Sequence, residues 1–121
     1  MSRVIAIANQ KGGVGKTTTA INLGASLAVA ERRTLIIDID PQGNATSGLG
    51  LRRAEVETSI YDVLINRSPI SSAVLKECHF PYLDVVPSSR DLVGAEVELV
   101  DQPQREHVLR RALAEIRADY D

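Results

Sequence analysis

The stretch Gln10-Lys11-Gly12-Gly13-Val14-Gly15-Lys16-Thr17-Thr18 constrains this chain more than any other, because it joins two runs of different periodicity. Before it, Val4-Ile5-Ala6-Ile7-Ala8 is apolar on both alternating faces, as in a buried parallel strand. After it, Thr17, Ala20, Ile21, Leu23, Gly24, Leu27 and Ala28 recur at three- and four-residue spacing, which predicts a helix with one broad buried face up to Arg33. Thr34-Leu35-Ile36-Ile37-Asp38 then returns to a strand-like run. Strand, glycine-rich loop, helix and strand in that order predict a right-handed βαβ unit.

A loop in this position suits a phosphate. Without Cβ atoms, Gly12, Gly13 and Gly15 let the backbone turn tightly, so that amides from Gly12 through Val14 to Thr18 aim into one concavity. The first helical turn adds N–H groups without intrahelical partners and a partial positive charge. Lys16 can then reach β- and γ-phosphate oxygens, and the Thr17 hydroxyl is placed to ligate Mg²⁺. A dinucleotide fingerprint would need the order G-x-G-x-x-G, which is absent. Glycines serving only helix–sheet packing would not be flanked by two lysines.

Asp38 and Asp40 fall at the carboxyl end of the second strand, the edge at which open α/β sheets bind ligands. Each can orient a water or hold water on Mg²⁺, and each can instead serve its own turn, Asp40 with Pro41 and Asp38 through local backbone. Asp40-Pro41-Gln42-Gly43-Asn44 is turn chemistry, and Gly48 and Gly50 predict irregular backbone to about Leu51. Further on, Ser59 and Asp62 predict a capping box opening a short helix through Leu64, and Tyr82–Val86 a third strand. Leu109, Leu113, Ile116 and Tyr120 form one stripe of a terminal helix starting after Pro103, with Arg110, Arg111, Glu115 and Arg117 on its solvated face. Three strands are few for a parallel sheet covered on both faces, and the alternation calls for another strand after Asp121. Residues 1–121 are therefore expected to be the amino-terminal part of a single, longer α/β domain.

Composition narrows the classes further. An apolar run of at most five residues, Val4 to Ala8, is too short to span a bilayer or to form a secretory signal core. The single cysteine, Cys78, builds no internal disulfide and suits a reducing cytoplasm. His79 and His107 lack metal-ligand spacing, and nothing around Cys78 and His79 suggests an oxyanion hole. A net charge of −2 argues against bulk-charge binding of nucleic acid. Yet residues 1–52 hold six Lys/Arg against three Asp/Glu, so the basic excess sits where an anion would bind. Arg52-Arg53 and Arg110-Arg111 read as ordinary surface pairs rather than DNA contacts.

The loop departs from G-x-x-x-x-G-K-[ST], since Gln10 stands at its first glycine, and begins instead with a second lysine, Lys11. In this it resembles the deviant Walker A motif of the ATPase family that includes the ParA and Soj partition proteins, MinD and nitrogenase iron protein. Asp38-Ile39-Asp40-Pro41-Gln42-Gly43-Asn44-Ala45-Thr46-Ser47-Gly48-Leu49-Gly50 is similar to the ParA/Soj switch segment. Ala8-Asn9-Gln10, Ala20–Gly24, Ile60–Leu64 and Asp91–Leu99 also look like ParA/Soj segments, so the resemblance covers nearly the whole chain and is most specific in its first fifty residues. It implies a P-loop NTPase fold with a mostly parallel sheet and flanking helices, here incomplete, and an ATPase using ATP and Mg²⁺. It also implies Lys16 neutralising charge in cis, Lys11 in trans across an ATP-sandwich homodimer, Thr17 on Mg²⁺ and Asp40 required for hydrolysis. Chromosome or plasmid partition, a ParB-like stimulating partner, nonspecific DNA binding with nucleoid association and no membrane partner follow from the same resemblance. The Walker B strand, the adenine contacts and the basic DNA-binding residues are expected beyond Asp121. A MinD-like membrane-cycling ATPase would need an amphipathic carboxyl-terminal helix, and an iron-protein reductase more cysteines. A nucleotide-binding or interaction module without turnover is the rival from another class.

Overall fold

The computed structural model describes residues 2–8, 15–100, 102 and 107–121, so Lys11, Gly12, Gly13 and Val14 lie outside the described residues. In chain order these residues form helix α1 (Lys16–Val29), strand β1 (Thr34–Ile37), α2 (Asn44–Gly48), α3 (Ile60–Leu64), β2 (Leu83–Val86), α4 (Ala95–Val100) and α5 (Val108–Ala114). β1 and β2 pair in parallel, Thr34 opposite Leu83 and Ile37 opposite Val86. All four residues of β2 are buried, as expected of a parallel strand covered on both faces. Alternation divides the core in two. Ile36, Leu83 and Val85 pack with Ala28 and Leu49 on the α1 side. Val86, with Leu35 and Ile37, packs against Ile60, Val63, Leu64, Leu92, Val108 and Ile116 on the other. Burying side chains of this size contributes about 1.5–3 kcal/mol each, more than the spread of about 1 kcal/mol in strand propensity, so packing decides where the sheet forms. No helix of the described residues is long and apolar enough to cross a membrane.

α1 lies close on the sheet because of Gly24: a Cβ there would stand 2.5 Å from Ile36 Cδ1. The helix stops at Val29 rather than at Arg33. The Arg32 amide bonds back to Leu27 and the Glu31 amide to Ala28, with Glu31 left-handed at φ 61°, which is a Schellman ending closed by a glutamate. β2 likewise begins at Leu83, since Tyr82 is left-handed at φ 72°. The terminal stripe is α-helical only over Val108–Ala114; Ile116 breaks the α geometry, a 3-10 turn follows over Arg117–Asp119, and Tyr120 turns extended to reach Asp84.

The expected first strand, Val4–Ala8, is not a strand. Val4 is 60% and Ile5 55% exposed, and the segment lacks a sheet neighbour among the described residues. Asp121 sits between it and the entry to β1, accepting the Arg3 amide (2.8 Å) and donating its own to the Arg33 carbonyl (2.8 Å). Apolar patterning makes a strand possible, but a hydrogen-bonded edge must be available to complete it. The stretch expected to be irregular up to Leu51 instead contains α2, whose cause lies in the site below.

Candidate functional site

α1 leads directly into the start of β1, so its amino terminus lies at the edge where β1 and β2 end. Gly15 opens it at φ 88°, ψ 12°, a left-handed conformation that side chains disfavour, and the Gly15 carbonyl accepts the Thr19 amide (2.9 Å). Among the described residues no side-chain cap serves this fourteen-residue helix, and no acidic residue occupies its first turn, Lys16-Thr17-Thr18. The orphan amides and positive end of a helix dipole thus meet no capping oxygen from Gly15.

α3 and α2 differ. At α3, Ser59 Oγ accepts the Tyr61 amide and the Asp62 carboxylate accepts the Ser59 amide (2.9 Å), which is the expected capping box. At α2 the caps come from β1's end. The Asp38 carboxylate, 4% exposed, accepts the Thr46 amide (2.8 Å), the Thr46 hydroxyl (2.5 Å) and the Asp40 amide (3.0 Å). Asp40 Oδ1 accepts the Gln42 amide (3.0 Å) and Oδ2 the Asn44 amide (3.3 Å). Two carboxylates at its amino terminus allow a helix of only five residues to form.

This turn is fastened to β2 as well. The Ser88 amide donates to Thr46 Oγ1 (3.0 Å), and Ser88 Oγ donates to the Asp40 carbonyl (2.7 Å). α2 in turn lies against the start of α1: a Cβ on Gly48 would stand 2.6 Å from Ile21 Cδ1 and 3.8 Å from Thr17 Cγ2. The described part of the loop, Gly15 to Thr18, and the Asp38–Asn44 turn therefore share one edge. Lys11 to Val14 fall outside the described residues. Asp38 has the backbone-holding partners that one of its two sequence readings requires. Thr46, Ser88 and Arg53, which also hold the edge, carried no sequence signal, because their partners lie 8, 42 or 48, and 11 or 12 positions away.

Chemically, the edge offers helix-terminal N–H groups and Lys16 for an anion, the hard oxygen of Thr17, and two carboxylates opposite. No cluster of three His, Cys, Asp or Glu exists among the described residues. A cation here would rely on Thr17, water and the ligand's own oxygens, the coordination that Mg²⁺ favours, so the donor set fits that ion. The remaining candidates resolve into structure. His79 hydrogen-bonds the Leu49 carbonyl. Burial pushes the half-buried Cys78 thiol up, away from nucleophilic thiolate. Arg52 lies 3.8 Å from Glu55, and Arg53 turns inward onto the Pro41 and Gln42 carbonyls.

Away from this edge, Asp84 of β2 accepts Tyr120 Oη (2.6 Å), the Glu77 amide (2.8 Å) and Lys76 Nζ (3.2 Å). Burial alone would raise its carboxyl, but those three donors together hold it below the usual value. Burial, then the bond to Asp84, pushes the Tyr120 phenol well up.

The AAA domain family model matches residues 2–121. The chromosome partitioning protein ParA of Myxococcus xanthus is 58% identical over 121 residues, all of this chain and 42% of that protein. The sporulation initiation inhibitor protein Soj of Bacillus subtilis is 51% identical over the same length, 47% of that protein. Cobyrinic acid a,c-diamide synthase from Mycobacterium smegmatis, solved with ADP and magnesium, superposes at TM-score 0.92 and 41% identity over all of this chain and 49% of its own. The chain thus spans less than half the length of these proteins. Its parallel sheet with flanking helices is that of a P-loop NTPase. With the family model covering all but Met1, the chain belongs to the AAA domain family, in its ParA/Soj group.

Proposed function

We propose that this chain binds ATP with Mg²⁺ and takes part in its hydrolysis, as the phosphate-binding part of a single ParA/Soj-type partition ATPase domain. The observation that carries the reading is the start of α1: a left-handed glycine with no side-chain cap, followed by Lys16-Thr17-Thr18, beside an acidic turn on the same sheet edge. Amides from Gly12, Gly13, Val14 and Gly15 through Thr18 hold the phosphate oxygens, and Lys16 and, from a second copy, Lys11 neutralise their charge. The Thr17 hydroxyl would hold Mg²⁺, which when bound would supply positive charge against that developing on the phosphate oxygens. Asp40 keeps a lone pair on each oxygen beyond those given to Gln42 and Asn44, and with these it orients the attacking water. ADP with magnesium in the Mycobacterium smegmatis structure supports the ligand class, and the partition names of the two relatives support the process. In that process an ATP-sandwich homodimer holds DNA nonspecifically, and a ParB-like partner stimulates turnover.

Two variants test this. Lys16→Ala is expected to lower ATP affinity at least about tenfold by calorimetry, the loss of one charge-assisted contact; unchanged affinity would reject the loop assignment. Asp40→Asn keeps an oxygen for the turn and is expected to bind ATP normally while phosphate release falls at least about 100-fold. Wild-type release by this variant would leave Asp40 a turn residue, and a chain that binds ATP without any release would be a binding module.

A further inference from the structure

Arg53, outside the glycine-rich loop and outside the acidic turn, is built onto that turn from the far side. Its Nη1 donates to the Gln42 carbonyl (2.7 Å) and its Nη2 to the Pro41 carbonyl (2.8 Å). The planar guanidinium thus grips two successive carbonyls, a fork that a lysine cannot reproduce. Its stem fills the space over Gly43, where a Cβ would stand 2.7 Å from Arg53 Cδ and 2.9 Å from Nε. Gly43 is left-handed at φ 66°, so both its conformation and its missing Cβ are what admit the arginine. Arg53 Nε is shut from solvent without a hydrogen-bond partner among the described residues. Leaving that donor unpaired costs stability, and the two-carbonyl grip is what offsets it.

The gripped residues are those whose conformation sets Asp40. Gln42 carries one amide that the Asp40 carboxylate accepts, and Gly43, whose amide bonds to the Asp40 carbonyl (2.8 Å), precedes the other, Asn44. Ser88 holds the same carbonyl from the β2 side, so the turn is fixed at both ends. We infer that Arg53 is a positioning residue for Asp40, holding the Pro41–Gly43 turn so that the carboxylate keeps one orientation at the sheet edge. The inference deepens the proposed function and rests on it for the consequence in turnover, whereas the clamp itself is a property of this chain's own residues.

The test uses Arg53→Gln and Arg53→Lys with two readouts. Amide hydrogen exchange in the nucleotide-free protein is expected to speed up at Gln42 and Asn44 by about tenfold in Arg53→Gln, with the Thr46 amide unchanged because Asp38 holds it, and to a lesser degree in Arg53→Lys. In the same variants ATP affinity stays within about twofold while phosphate release falls by about tenfold, again less in Arg53→Lys. Unchanged exchange at Gln42 and Asn44 overturns the clamp whatever the turnover. Loss of protection that spreads to Thr46 and the core also overturns it, by making Arg53 a general support of the fold. Faster exchange at the two amides in a wild-type background that releases no phosphate would sustain the clamp and sink the hydrolysis reading instead.

Discussion

Four aspartates do four different things in this chain, and their partners separate them. Asp62 closes a local capping box, Asp38 is buried as the hub of a three-donor knot, Asp40 shapes the turn after β1, and Asp84 anchors Tyr120 against the sheet. For Asp84 the sign of the pH effect follows from its direction. A carboxyl held below its unfolded value of 3.8 adds stability that is present above that value and lost as pH falls through the folded one. A phenol raised above 10.0 adds stability that is present below that value and lost as pH climbs through its folded value. Tyr120→Phe is therefore expected to cost about 1–3 kcal/mol in urea melts at pH 7 and distinctly less once the pH has fallen far enough to protonate Asp84. An equal penalty at both would show that the bond does not depend on the carboxylate's charge. The Asp62 box was legible in sequence, since Ser59 and Asp62 are close neighbours, as was one of the two readings of Asp38 and of Asp40, that of serving local backbone; nothing in the order of residues points Thr46 at Asp38 or Ser88 at Asp40.

At the level of elements, periodicity located α1, β1 and β2 because their burial repeats within a few residues, but it could not place their ends. α1 stops where Glu31 takes a left-handed conformation, a position that ordinarily holds glycine. Glu31→Gly removes that strain at some cost in unfolded-state entropy, and a net gain of about 0.5–1 kcal/mol in thermal or urea unfolding is expected. A loss would mean that the Schellman ending is not where the helix is strained. α2 escaped the pattern altogether, because five residues carry no helical period and its caps arrive from Asp38 and Asp40 upstream. Val4–Ala8 failed in the opposite way: its apolar pattern is that of a strand, but it has no sheet neighbour among the described residues, and Asp121 bridges Arg3 to Arg33 just ahead of β1.

Across the whole molecule, the order of the parts was more legible than their contacts. A glycine-rich loop before a helix, followed by a strand ending in carboxylates, already puts the loop's helix start and acidic groups on one edge, and the parallel pairing of β1 with β2 supplies that edge. What order could not give is the stitching of that edge by Thr46, Ser88 and Arg53, which depends on chain segments brought together only by the fold. The central claim is that the start of α1 holds a triphosphate tail. Backbone amide NMR during titration with a nonhydrolysable ATP analogue and Mg²⁺ addresses it most directly. Large shifts are expected at Gly12–Thr18, with smaller ones at Asp40–Asn44, and both are expected to need at least about tenfold more ligand in Lys16→Ala. Shifts confined to other parts of the chain, or reached with no more ligand in Lys16→Ala, would contradict the account.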